Sequence, residues 1–417
     1  MKRRKRGRTE RAARGAGRER RGASAGTEVE ALIERILPGG AGLAHADGRT
    51  LLVALAAPGD RVRARIERTS GSLAFASITE ILQPSPVRVE PPCPYFGRCG
   101  GCDFQQLSYE AQLAAKQEII SDCLRRLARV ELSPREIPIT GSALPWHYRS
   151  RAQWQHDART GHLGYFERGS HRVCDVAACP VLVPALQETL TDLRLKMQAG
   201  RLPANISELQ AVAGDDGTSL APSLAGVRPR EVSRTIEGHR YHFSADGFFQ
   251  INHELLPALV AAATHETQGA SAIDLYCGVG LFTLPLARRF TRVTGIEANA
   301  AAVDYARRNL SDLQLTNATF ACATVGDYLS SHAQELAPAD FVLLDPPRAG
   351  AEAQAISGIL ALRPQRITYV SCDPATLARD LKELLHGGYH LEAVAAFDMF
   401  PQTHHVETIA RLKRRIP

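Results

Sequence analysis

The feature that most constrains this chain is an alternation that begins near residue 246. Short apolar runs ending in polar or turn-forming residues are separated there by segments of helical periodicity. This order calls for a parallel sheet with helices on its faces, an α/β fold of Rossmann-like type, and excludes a helical bundle or a β-sandwich for this half. Such sheets bind ligands outside the carboxyl ends of their strands. The residues that end each run are therefore the first candidates for chemistry.

The first run, within residues 272–282, enters Gly278-Val279-Gly280 and then a helical segment, a turn that brings backbone close to a ligand. The next strand ends in Glu297, nineteen residues after Gly278, where nucleotide-binding folds place the carboxylate that takes ribose hydroxyls. The third glycine of a pyrophosphate cradle is missing, which argues against NAD and for a nucleoside ligand without phosphates, such as S-adenosylmethionine. A later strand ends in Asp345-Pro346-Pro347-Arg348, a rigid loop that holds Asp345 over the crevice. The run Ile367 to Val370 leads into Ser371-Cys372-Asp373-Pro374, in which Asp373 suits a helix N-cap and Pro374 the first helical position. Leu377, Leu381, Leu384 and Leu385 then recur at helical spacing. In isolation Cys372 would read as an inert core cysteine; at the positive end of a helix, among other polar strand ends, it reads as a thiolate nucleophile. Glu407 opens a final apolar segment, where burial would raise its pKa and suit it to proton transfer.

The first half is organised differently. Residues 27–83 read as a small β-barrel, short alternating strands punctuated by turns such as Pro38-Gly39-Gly40 and Pro58-Gly59-Asp60. Arg61, Arg63 and Arg65 share one face there, either an RNA-facing stripe or an ordinary solvated face. Residues 84–245 form a central α+β segment that opens with Cys93, Cys99 and Cys102 in C-x5-C-x2-C spacing. Three cysteines in ten residues point to a metal, and the spacing fits zinc or an iron–sulfur cluster equally, with Cys174 and Cys179 as candidate fourth ligands. Cys123 lies in a periodic helical run and reads as core. Tyr148-Arg149-Ser150-Arg151-Ala152-Gln153-Trp154 alternates basic with aromatic or amide side chains, the pattern of a surface that holds phosphates and stacks bases, or of a half-exposed strand. Residues 214–235 carry no legible chemistry. Residues 246–417 are the alternating domain.

The total charge of +6 is misleading. Residues 1–26 hold eleven Lys or Arg against Glu10 and Glu19, a net of +9, which leaves −3 for the remainder. That arm reads as disordered and phosphate-attracting. No apolar run reaches membrane-spanning length and no hydrophobic signal follows the basic start, so a cytoplasmic protein is expected. Nine cysteines in such a chain favour metal or catalytic roles over disulfides.

Together these motifs resemble the RNA 5-methyluridine methyltransferase family. The resemblance runs through Pro38-Gly39-Gly40-Ala41-Gly42 and the following barrel, similar to a TRAM domain, the cysteine motif, Phe248-Phe249-Gln250-Ile251-Asn252, the Asp274 to Gly280 turn, Asp345-Pro-Pro-Arg-Ala-Gly, Ser371-Cys-Asp-Pro and Phe400-Pro-Gln-Thr-His-His-Val-Glu407. It implies that Gln250, Tyr276, Glu297 and Asp345 contact S-adenosylmethionine, that Cys372 is the nucleophile and that Glu407 is the base. Cys93, Cys99 and Cys102, with Cys179 ahead of Pro180-Val181-Leu182, resemble the ligands of a [4Fe–4S] cluster in the ribosomal-RNA branch. Leu281 stands where relatives often carry a polar residue and is not counted as a ligand; the region after residue 214 is short for the family. The implied activity is methyl transfer to C5 of a uridine in RNA, with 23S rRNA favoured. Three other readings stand beside it: the same chemistry on tRNA, an amino-group methyltransferase that also carries Asp-Pro-Pro but needs no thiol, and a non-catalytic RNA-binding protein with a vestigial methyltransferase fold.

Overall fold

The computed structural model describes residues 24–224 and 230–415, so residues 1–23 of the basic arm lie outside the described residues. The alternating half forms an eight-stranded sheet. Its order is Ala318–Cys322, Phe290–Glu297, Gly269–Leu275, Phe341–Leu344, Arg366–Ser371, Glu407–Arg414, Tyr389–Phe397 and Ile139–Thr140. The first five strands are parallel, and Phe341–Leu344 is buried at every position, as expected where helices cover both faces. After Gly269–Leu275 the chain builds toward one edge, then returns to the other side of that strand as Phe341–Leu344. The strand order therefore reverses beside Gly269–Leu275, and a crevice opens there.

Glu407–Arg414 runs antiparallel to both its neighbours. Its first residue, rather than its last, therefore lies at the carboxyl rim of the parallel set. Ser371 pairs with Thr408, which brings Cys372 and Glu407 to the same edge. Helix Pro374–His386 begins beside them. The Asp373 carboxylate accepts hydrogen bonds from the N–H groups of Ala375 and Thr376 (2.8 and 3.1 Å), and Leu377, Leu381 and Leu384 are buried below.

The N-terminal strands form a separate six-stranded sheet in the order Glu28–Leu32, Arg61–Ser70, Leu73–Gln83, Arg49–Ala54, Gly42–Ala46, Arg35–Ile36. Alternate residues, among them Val29, Leu51, Val53, Val62, Ala64 and Ile66, enclose one small core. Two of the three stripe arginines are charge-balanced across strands: Arg63 pairs with Glu30 and Glu80, and Arg65 with Glu28. That part of the stripe is a solvated ion-pair ladder rather than a bare basic face.

A five-stranded antiparallel sheet follows, ordered Val173–Asp175, His162–Phe166, Arg151–Asp157, Glu208–Gly214, Gly217–Ala221 and backed by helix Pro184–Gln198. The basic and aromatic segment at 148–154 is built into this framework, and of its two readings the half-exposed strand is the one the structure favours. Tyr148 and Trp154 are buried, the Tyr148 hydroxyl donates to the Pro401 carbonyl, and Arg151 donates to the Gly247 carbonyl and to Gln210. Two earlier pieces join the C-terminal layer. Ile139–Thr140 extends its sheet edge, and helix Tyr109–Cys123 sends Ile120 and Cys123 into its core. No helix among the described residues is long and apolar enough to cross a membrane.

That helix also carries Lys116, fully buried and paired with the equally buried Asp398. Removing one partner leaves an uncompensated interior charge. Lys116→Ala is expected to cost about 3–5 kcal/mol, read as a lowered urea midpoint, whereas replacing both partners (Lys116→Met with Asp398→Leu) is expected to recover most of the loss.

Candidate active site

The crevice beside Gly269–Leu275 is lined by strand ends whose side chains are individually oriented. Glu297 accepts hydrogen bonds from the N–H groups of Gly278 (3.1 Å) and Asn299 (2.7 Å), which lock its carboxylate over the turn. Gly278 has φ +54° and a side chain added there would meet nothing within 4 Å, so the backbone faces open space, as close approach to a ligand requires. Tyr276 also adopts a left-handed conformation, φ +61°, and its hydroxyl donates to Glu352. Gln250 is buried and its amide donates to Asp345 at 3.2 Å. It is held in place because Ser150 donates twice to the neighbouring Ile251 carbonyl (2.8 and 2.9 Å). The structure thus brings Gln250, Tyr276, Glu297 and Asp345 to one rim.

Asp274 was not singled out by the sequence reading, although an acid inside an apolar strand is a visible signal. It is fully buried, accepts a hydrogen bond from the Thr283 hydroxyl at 2.5 Å and has its second oxygen unpartnered. Burial pushes it up to about 7.

Cys372, Glu407, Asp345 and Arg348 form one electrostatic group. Burial raises Glu407 well above the carboxylate range, with Asp345 adding to the effect, and one of the Glu407 oxygens has no partner. Asp345 is pushed up to about 7, again by burial. The helix start on its own favours a thiolate, but the surroundings of Cys372 act in the opposite direction. Burial first, then Glu407 and Asp345, push the Cys372 thiol up to about 12, and Arg348 offsets only part of this. His405, on the segment leading to Glu407, is pushed down to about 3 by burial and by His404 and Arg348, so it is neutral near pH 7.

Cys93, Cys99, Cys102 and Cys179 line a second, small cavity, together with Tyr95, Arg149 and Tyr165. Cys174 is buried nearby but is not among the residues lining it. Among the described residues no three His, Cys, Asp or Glu side chains are grouped closely enough to hold a single metal ion. The four thiols surround a space instead of converging on a point.

The family model described as tRNA (Uracil-5-)-methyltransferase matches residues 231–415. The 23S rRNA (uracil(1939)-C(5))-methyltransferase RlmD of Alkalilimnicola ehrlichii is 35% identical, across 90% of this chain and 94% of that protein. Its namesake from Pectobacterium atrosepticum is 35% identical across 89% and 91%. Among solved structures, Pyrococcus abyssi tRNA (uracil-54, C5)-methyltransferase in complex with S-adenosyl-L-homocysteine shares the fold, with TM-score 0.71 at 23% identity, over 92% of this chain and 100% of that one.

A raised pKa keeps the Cys372 thiol protonated and so poorly nucleophilic. Under iodoacetamide at pH 8, peptide-level mass spectrometry is expected to find the exposed Cys322 alkylated well before Cys372, whose labelling should accelerate only as pH climbs toward its raised pKa. Fast labelling of Cys372 at pH 8 would contradict this account of the site.

Proposed function

Because the chain belongs to the RNA (uracil-5-)-methyltransferase family of S-adenosylmethionine-dependent enzymes, we propose that it methylates C5 of a uridine in 23S rRNA through a covalent bond between Cys372 and uracil C6. The observation that carries this reading is the strand reversal that sets Glu407 beside Cys372 at the rim where Gln250, Glu297 and Asp345 converge. In this reading Glu297 takes the ribose hydroxyls of the methyl donor, and Tyr276, Gln250 and Asp345 complete its seat.

Uracil C5 is too weak a nucleophile to attack a sulfonium methyl unaided. The Cys372 sulfur, once deprotonated, bonds to C6 and pushes the C5–C6 electron pair toward O4. The resulting enolate attacks through C5, forming the C5–methyl bond while the methyl–sulfur pair departs with S-adenosylhomocysteine. Glu407, as carboxylate, then takes the C5 proton; the C–H electrons restore the C5–C6 double bond and expel the Cys372 thiolate. Burial explains the resting state. With thiol and carboxylates all raised, these groups avoid stacking negative charge on one another, and the sulfonium cation of the donor would favour the ionised forms that the chemistry needs. A uridine stacked in a helix hides C6, so the target base must be unstacked or flipped.

The two relatives at 35% identity, matching about nine tenths of the chain, name 23S rRNA, and that match outweighs the 23%-identical structural neighbour that names tRNA. The assignment extends to the rest of the chain. Residues 27–83 are a TRAM-like barrel, 84–245 a cluster-bearing central domain and 246–417 the methyltransferase domain, and the protein works in the cytoplasm. Cys93, Cys99, Cys102 and Cys179 would hold a [4Fe–4S] cluster. Four thiols around a space, too spread for one ion, suit a polynuclear centre; burial pushes the Cys102 and Cys179 thiols up, and the Arg149 guanidinium beside them offsets part of that. Such a cluster would tie the 93–102 loop to the loop before Pro180.

Mapping 5-methyluridine in rRNA and tRNA with and without the gene is expected to show one rRNA position lost, and Cys372→Ala to abolish turnover. Near-normal activity in that variant would favour amino-group chemistry and sink the proposal. Anaerobically purified protein is expected to be brown, with a broad absorbance bleached by dithionite; colourless protein carrying stoichiometric zinc would overturn the cluster assignment.

A further inference from the structure

The turn that delivers Glu407 to the rim, residues 398–406, is held largely by the segment carrying the cysteines. Gln402 sits at its centre, 2% exposed and in a left-handed conformation, φ +69°. A glutamine keeps that backbone only where its surroundings over-determine it, and here they do. Its N–H donates to Gln112 (2.9 Å), its carbonyl accepts from the N–H groups of Asp103 and Phe104 (3.1 and 3.0 Å), and its side-chain amide accepts from Gln112 (3.0 Å) and donates to the Pro145 carbonyl (3.3 Å). Two residues on, the Asp103 carboxylate takes both the backbone N–H of His404 (2.9 Å) and its ring Nδ1 (2.5 Å). Lys116 donates to the Phe400 carbonyl at 3.1 Å. The N-terminal sheet abuts the same spot: a Cβ on Gly40, φ +81°, would lie 2.8 Å from Asp103 and 3.1 Å from His404. Asp103 directly follows Cys102.

We propose that Asp103 and Gln402 are positioning residues for Glu407, fixing the strained turn so that the carboxylate reaches C5 of the target base. The proposal rests on Glu407 being the base of the elimination step. Loosening the turn should leave donor binding, Cys372 addition and methyl transfer largely intact, and should slow the later proton removal. The methylated enzyme–RNA adduct would then accumulate.

The test follows a radiolabelled methyl group from S-adenosylmethionine into RNA under single-turnover conditions with full-length protein, separating denaturant-resistant enzyme–RNA complex from free methylated RNA. Asp103→Ala and Gln402→Ala are expected to trap label in the complex and to slow its release by about tenfold to a hundredfold, with donor affinity unchanged. Asp103→Asn, which can still accept from the His404 N–H but not from its ring, should fall between Asp103→Ala and wild type. Gln402→Ala and Asp103→Asn keep the measurement possible if Asp103→Ala folds poorly. Equal slowing of methyl transfer and release, or unchanged release, overturns the inference. Glu407→Gln is the reference: if it fails to accumulate labelled complex, the premise and this inference fall together. If it accumulates the complex while the positioning variants do not, the inference alone falls.

Discussion

The antiparallel insertion of Glu407–Arg414 between Arg366–Ser371 and Tyr389–Phe397 is the constraint on which the site depends. In a wholly parallel sheet every strand would offer its last residue to the ligand crevice, and the first residue would lie at the far edge. Reversing one strand lets an acid at a strand start face a cysteine at a neighbouring strand end. The juxtaposition then rests on backbone pairing, the stiffest element available, and not on a loop.

The cost of that arrangement is electrostatic. Glu407, Asp345 and Cys372 share a poorly hydrated space with Arg348 as the cation that offsets their charge, and each acid is driven toward its neutral form. In the proposed reaction the positively charged donor would both deliver the methyl group to uracil C5 and favour the ionised forms of Cys372 and Glu407.

Much of this was legible in the sequence wherever the determinants are local. Asp373-Pro374 announces a capped helix, Asp345-Pro346-Pro347 a rigid strand end, and the 246–417 alternation a parallel sheet, because caps, proline geometry and periodicity act within a few residues. Where the sequence left two readings open or pointed one way on local grounds, the deciding partners are remote in sequence. Arg63 and Arg65 look like part of a basic stripe until Glu28, Glu30 and Glu80 arrive on adjacent strands. Arg151 looks like a phosphate ligand until the Gly247 carbonyl and Gln210 take its donors. Cys372 looks like a thiolate if only its own helix is considered, and burial with two distant carboxylates reverses the sign. The strained turn at Gln402 lay inside a visible motif, yet its clamp from Asp103, Gln112 and Pro145 could not be inferred from the motif itself.

The bonds between Gln112 and Gln402 span 290 residues. On a growing chain the early partner must wait for almost everything else to be made. Until residue 398 emerges Lys116 has no counterion to justify its burial, and until the final strand is in place the parallel strands lack the neighbour that carries the acid. Assembly of the rim is therefore a closing event near the end of synthesis. A product cut short before that strand has Cys372 in sequence but not the sheet edge at which Glu407 meets it.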